Sequence, residues 1–402
     1  MSTRAANAKG VAILAALAVA AFLFDLFFAV RHGFFDLNVY YGAVNYWADG
    51  HDIYDFVREG STYGFTYPPF AALTMLPMAL LSWPVAVVIG SVLTVVATVW
   101  LMRRLLAPMI ERYGWTPWFA VGISLCLLAV YEPYRETFLF GQVNMLLLGL
   151  VAGDLLILLA RKSKWAGVGV GLATAIKLTP GIFIVYLLVT KRWRAAVVAS
   201  ATAAAATLFA AAVAPDASRE FWISALWDTD RVGALQFISN QSLQGVVARL
   251  DPAQPSKLLW VVLVIGLLTL WFVRVRQAGR RHDEVLGLAL TGIVGVLLSP
   301  VTWIHHLVWA VPAFVLIAER GGRRLWIFGG AAFAVLSSRL VWQYQDDFGG
   351  LDGFLFSNAY VWLMLALLVV TPALPAQQAQ PDLGGTDVAA ARRVKRPRSV
   401  RV

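Results

Sequence analysis

The feature that most constrains this chain is a series of uninterrupted apolar runs long enough to cross a bilayer. They lie at about 11–30, 69–101, 115–131, 142–160, 195–214, 257–273, 325–340 and 358–372. A hydrocarbon core takes roughly 20 apolar residues as a helix. Lipid offers backbone N–H and C=O groups no partners, so spanning segments must be helices or closed barrels. The runs lack the alternation of a barrel strand, which excludes the barrel. The expected fold class is therefore all-α, a polytopic integral membrane protein. Composition agrees, with 59% hydrophobic and 14% charged residues and a mean hydropathy of +0.70, far from the balance of soluble domains.

Two further segments, 165–190 and 285–318, are apolar but interrupted by Pro and polar residues. Each reads as two short helices meeting at a turn. Counting them as pairs gives about twelve helices and lets every basic cluster fall on one side: Arg103/Arg104, "RKSK" at 161–164, "KRWR" at 191–194, "RVRQAGRR" at 274–281 and "RGGRR" at 320–324. By the positive-inside rule that side is cytoplasmic and holds both termini. The net charge of +10 is then a topology signal, and no nucleic-acid partner is implied. The first run is a retained helix rather than a signal peptide, because no small-x-small cleavage site follows it. The 33 residues of 69–101 exceed one span and have room for a short interfacial helix before it. Residues 1–372 read as one membrane-embedded domain and 373–402 as a basic, disordered cytoplasmic tail that can touch anionic lipid. The single cysteine, Cys126, permits no disulfide within the chain and suits a small core residue.

With this orientation the conspicuous polar residues gather at the extracytoplasmic face. Asp36 stands alone among aromatic residues in "GFFDLNVYYGAV", a pattern suited to a helix lying in the interface. A carboxylate held against such a face is partly desolvated and can act as a general base or a sugar anchor; a helix-capping or solvated role is the alternative. "TYPPF" at 66–70 is read as a rigid extended lead into the next span. In "YEPYRETFLFGQVN", Arg135 can offer donors to a phosphate or pair with Glu132 or Glu136, with Gln142 and Asn144 just behind. Lys177, in "TAIKLTP", is expensive in an apolar segment and requires a cavity, a lipid phosphate or a counter-ion such as Asp154, unless it snorkels. Asn240 and Gln241, in "SNQSLQG", can bond sugar hydroxyls or cap a re-entrant helix. His305 and His306 are adjacent and project about 100° apart on a helix, so one is expected to face a site and the other to hold structure. The sequence supplies no ligand set for a metal and no Gly-rich nucleotide loop.

Taken in order, "FDLNVYYGAVNYWADGHDIYDF", "FTYPPF", "FGQVNMLLLGL", "AIKLTPGI", "SNQSLQGVVAR" and "SPVTWIHHLVW" resemble the polyprenol-phosphate-mannose-dependent α-1,2-mannosyltransferases of actinobacteria, which have the membrane-embedded GT-C fold. The resemblance covers roughly residues 11–370. It implies inverting transfer of mannose from polyprenyl-phosphate mannose to the 2-hydroxyl of a mannose on a phosphatidylinositol mannoside, at the plasma membrane and with no nucleotide cofactor. It further implies Asp36 as the base, with Lys177, Arg135 and one of His305/His306 receiving the departing phosphate. Mannose branching of lipomannan and arabinofuranosyl transfer from a polyprenyl phosphate are the alternatives within this class. A lipid-linked sugar transporter is the alternative outside it, although a transporter would place its polar residues at the midplane rather than on one face.

Overall fold

The computed structural model describes residues 3–375 except 229, 230 and 232. The tail assigned to 373–402 lies, from residue 376 onward, outside the described residues. Among those described, the structure is helical with no strand; the one β-type pairing is an isolated antiparallel bridge between Val57 and Gly64.

The chain opens with α1 (Thr3–Phe28) and α2 (Phe35–Ala48). Pro68 and Pro69 then start α3 (Pro69–Met75), which a 3-10 turn separates from the long α4 (Trp83–Leu105). The overlong run at 69–101 is thus a short helix followed by the true span. After α5 (Ala107–Tyr113), α6 (Pro117–Val130) bends by 81° into α7 (Glu132–Phe140). Proline at the first turn of each of these last helices fits, since that position needs no N–H. Gly141, at φ +70, ends α7, and a Cβ there would lie 2.6 Å from Leu37 Cβ. The glycine therefore lets α2 pack onto the end of α7.

Helix α8 (Asn144–Gly153) runs into a π-helical turn, and α9 (Val168–Ile176) breaks at Lys177 before α10 (Ile182–Val189). The segment 165–190 is thus the broken pair expected. Next come α11 (Trp193–Val213), α12 (Pro215–Glu220) and α13 (Leu243–Leu250), the last capped by Ser242 Oγ accepting from the Gly245 N–H. Then α14 (Lys257–Arg280) leads to α15 (Glu284–Leu298), and an extended break at 299–303 and a 3-10 turn over 304–310 lead into α16 (Val311–Arg320). The chain closes with α17 (Arg323–Val335), α18 (Gly350–Ser357) and α19 (Ala359–Val370), the last two bent by 59°.

Four helices, those containing Ala8–Phe28, Trp83–Leu105, Trp193–Val213 and Lys257–Arg280, are long and apolar enough to cross a membrane unaided. Two bent pairs raise that to six, and shorter apolar helices pack among them. The chain is a multi-pass membrane protein. Helix α15 is apolar all round and buried from Leu286 to Leu297, as a central pillar must be. Helix α1 is the opposite case, lipid-exposed along most of its length. At about 1.5 Å per residue, α11 runs roughly 30 Å from one face to the other. At one end the turns carrying Arg192, Asp283, Arg320 and Leu374 meet: Arg192 pairs with Glu284, and Asp283 accepts from Arg320 and from the Leu374 N–H. At the other, Ala214, Ala217 and Phe221 pack with Tyr54, Phe65 and Tyr67.

Candidate active site

Beside that second cluster lies a cavity of about 330 Å³, within the range of small-ligand sites. Asp36, Tyr40, Tyr67, Gln142, Lys177 and His306 contribute to its wall. Asp36 comes from the first turn of α2, where Gly33 and Phe34 both take left-handed backbone angles and aim the helix at the end of α7. Gln142 follows Gly141 directly, and its Nε2 donates to Asp36 Oδ2 at 2.8 Å. Burial pushes the Asp36 carboxyl up to about 6, because the cavity solvates the charged form poorly. The Gln142 hydrogen bond and the nearby charges of Lys177 and His32 act against the rise.

Tyr67 links the two halves of the site. Its hydroxyl accepts from Tyr40 Oη at 2.9 Å and from Lys177 Nζ at 3.1 Å, and donates to Gln142 Oε1 at 3.1 Å. Since an ammonium has only donors, the single Tyr67 proton goes to Gln142. That orients the amide so that its N–H groups face Asp36. Lys177 sits on extended backbone in the α9–α10 break, with Nζ 3.4 Å from Asn144 Oδ1 and 3.0 Å from His306 Nε2. The Trp303 N–H donates to His306 Nδ1 at 3.2 Å. The Lys177 ammonium and the His306 ring thus stand together on one wall of the cavity, and the fixed charge of Lys177 suits an anion.

Other expected site residues are placed elsewhere. His305 turns away, with its ring at 88° to that of His306 and its C=O accepting from Thr137 Oγ1 and Asn144 Nδ2. Asn144 therefore stands behind Lys177, as its support. Arg135 does not reach the cavity; it faces α1, where it lies 3.5 Å from Asp25 and donates to the Val130 C=O. Neither Glu132 nor Glu136 is its partner. Asn240 and Gln241 are also not in the cavity wall. Asn240 staples its loop to the 299–303 break, through the C=O of Leu235 and Pro300 and the N–H of Thr302, and Gln241 bonds the C=O of Ile238 and Ser357. Asp154 is not the counter-ion of Lys177; it accepts the N–H groups of Gly167 and Val170 at the opposite end of α9.

A second cavity adjoins the first. It is an apolar groove of about 1080 Å³ between α4, α8 and α9, and Tyr40 and Gln142 line both spaces. Small residues carve it: Ala86, Gly90 and Ala97 on α4, and Gly149 and Gly153 on α8.

The profile of glycosyltransferase family 87 matches residues 65–300. A polyprenol-phosphate-mannose-dependent alpha-(1-2)-phosphatidylinositol mannoside mannosyltransferase of Mycolicibacterium smegmatis is 32% identical over 366 residues, 83% of this chain and 82% of that protein. The chain belongs to glycosyltransferase family 87. A Mycobacterium tuberculosis protein of the same description is 34% identical, with 83% of each chain covered. An M. smegmatis polyprenol-phosphate-mannose-dependent alpha-(1-2)-phosphatidylinositol pentamannoside mannosyltransferase is 32% identical over 77% of this chain and 72% of its own. No solved structure shows a significant match.

In this membrane glycosyltransferase the cavity is also lined by residues that the sequence did not single out. Tyr67 was hidden in "TYPPF", where the prolines suggested only a rigid lead. Tyr63, Trp303 and Arg231 line the same cavity, and Arg231 is held there by donating to the Tyr54 C=O at 2.8 Å. Tyr67 directly before Pro68 and Trp303 at the end of the 299–303 break were the available signal, an aromatic residue beside a proline or a break. Among the described residues no group of three or more His, Cys, Asp or Glu side chains could hold a metal ion.

Proposed function

We propose that this enzyme transfers mannose from polyprenyl-phosphate mannose to the 2-hydroxyl of a mannose on a phosphatidylinositol mannoside. The product carries an α-1,2 linkage, and the step is tetra- to pentamannoside. Asp36 takes the proton of the acceptor hydroxyl as its oxygen bonds to the anomeric carbon. The bond from that carbon to the phosphate oxygen breaks, and its electron pair leaves with the polyprenyl phosphate. One displacement inverts the centre and needs one carboxylate as base, unlike the two-carboxylate retaining route.

The observation that carries this reading is the juxtaposition of Asp36 with Lys177 and His306 in one cavity. Fixed donors beside a departing phosphate stabilise charge where it develops. The groove meeting the cavity at Gln142 favours a substrate with a long apolar tail, and the names of the relatives supply the donor and acceptor classes. A donor that already carries its leaving phosphate on a lipid needs no nucleotide. Because the basic turns meet at the opposite face, the site is assigned to the extracytoplasmic side of the plasma membrane and both termini to the cytoplasm. The pentamannoside-directed relative supports a second reading, in which the acceptor is one mannose longer.

Purified protein with polyprenyl-phosphate mannose and a tetramannosylated acceptor is expected to yield a pentamannoside, and Asp36→Asn to yield none. Undiminished turnover by Asp36→Asn would remove the base from the scheme. Product only from a pentamannosylated acceptor would select the second reading, and transfer only from an arabinosyl donor would replace the mannose assignment.

A further inference from the structure

At the basic face, far from the cavity, two turns are pressed together: the one between α10 and α11 and the one between α14 and α15. A Cβ on Gly279 would lie 2.8 Å from Thr190 Cγ2. Arg192 joins the turns by donating to the C=O of Thr190 at 3.1 Å and of Gly279 at 3.3 Å. The seam borders a hollow of about 440 Å³, lined by Lys191, Arg192, Arg276, Arg280 and His282 around Thr190.

The hollow gathers like charges that repel one another. Arg192 is matched by Glu284. Lys191, Arg276 and Arg280 have no carboxylate partner among the described residues. Each turn also holds one non-glycine residue in the left-handed region, Lys191 at φ 62 and His282 at φ 51, where side chains crowd the backbone. The positive-inside rule explains why basic residues lie on this side. It does not explain why two turns bend to bring them around one concavity.

The flanks indicate the occupant. Phe272 and Val273 precede Arg276 by four and three positions on α14, on the same side of the helix. Both are exposed, as is Trp193 at the start of α11, and Arg276 lies over the Phe272 ring at 5.4 Å. A cationic hollow with lipid-facing apolar side chains directly beneath it fits a molecule that has both an anionic head and acyl chains, whereas a soluble anion would use only the upper half. Basic pockets between membrane helices recognise anionic headgroups in this way.

We propose that this hollow binds the headgroup phosphate of an anionic phospholipid of the adjacent leaflet, with Lys191, Arg276 and Arg280 on the phosphate and the acyl chains along Phe272 and Val273. Arg192 is the strut that keeps the hollow open.

The test uses the purified full chain, delipidated in a neutral detergent and titrated with phosphatidylglycerol, phosphatidylcholine or inorganic phosphate. Melting temperature and lipid adducts in native mass spectra are the readouts. Phosphatidylglycerol is expected to raise the melting temperature and persist as a discrete adduct. Lys191→Gln/Arg276→Gln/Arg280→Gln should bind it on the order of a hundredfold more weakly, at about one tenfold-scale step or less per charge. Should the triple variant fail to fold, Arg276→Gln alone should weaken binding about fivefold. Arg103→Gln/Arg104→Gln/Arg112→Gln, which removes equal charge elsewhere, should leave it unchanged. Equal weakening by that control would reduce the effect to diffuse surface charge and overturn the site. Equal binding of phosphatidylcholine, or equal stabilisation by inorganic phosphate, would overturn the anionic-lipid assignment.

Discussion

Two regions on either side of α7 hold carboxylates, one buried and one half-buried, and they do so in different ways. On one side Glu132, fully buried, accepts from Trp342 Nε1 and Tyr360 Oη and lies 3.7 Å from Arg339. Glu136 is matched by Arg339 and by His32 at 2.6 Å. On the other side Asp36 has one side-chain donor, Gln142, and open cavity beyond it. The first region is saturated and stores nothing for chemistry. The second leaves part of its carboxylate without a partner and so can take a proton. A cluster of charged letters such as "YEPYRE" therefore says less about reactivity than one aspartate with a space next to it.

Exchanging the amide for the acid in each region gives the sharpest contrast. Asp36→Asn is expected to lower turnover by about 10²- to 10⁴-fold, the usual contribution of a general base. It should melt no lower than the parent, because the asparagine oxygen can still accept the single Gln142 N–H that Asp36 takes. Glu132→Gln should do the reverse, losing about 1–3 kcal/mol of stability while turnover per folded molecule persists. Matched rate and melting measurements on the two variants would erase the contrast if the effects came out alike.

Next in size is Lys177. Lys177→Met should reduce kcat about 10²- to 10³-fold with far less effect on acceptor KM; a change confined to acceptor KM would move Lys177 from the departing phosphate to the acceptor. The smallest effect is graded. With the Asp36 carboxyl at about 6, the base is ionised above that pH, and the rate should fall about tenfold per unit below it. Gln142→Leu removes the N–H that favours the ionised form and should shift this acidic limb upward. A limb that stays in place would show that another group sets it.

Much of this arrangement was legible because it follows from the solvent. Apolar run length gave the helices, proline and lysine marked the breaks at 177 and 299–303, and the aromatic setting of Asp36 indicated a desolvated carboxylate. What stayed hidden depended on partners distant in sequence. Arg135 could pair or bind phosphate until α1 brought Asp25 beside it. The amides of Asn240 and Gln241 are consumed by C=O groups about 60 and 116 residues away, a demand no local pattern reveals. Tyr67 acquires its role only when Lys177 and Gln142, 110 and 75 residues on, reach its hydroxyl.

The 81° turn between α6 and α7 bears on how the molecule tolerates different bilayers. Straight spans answer a thicker or thinner membrane by tilting, which shifts the side chains along them relative to one another. Helix α7 lies across that direction, and through Thr137 Oγ1 and Gln142 it joins the 304–310 turn to Asp36. Changes in membrane thickness then reach the cavity wall as a common displacement rather than a shear, and the exposed α1 is the element left to absorb the mismatch.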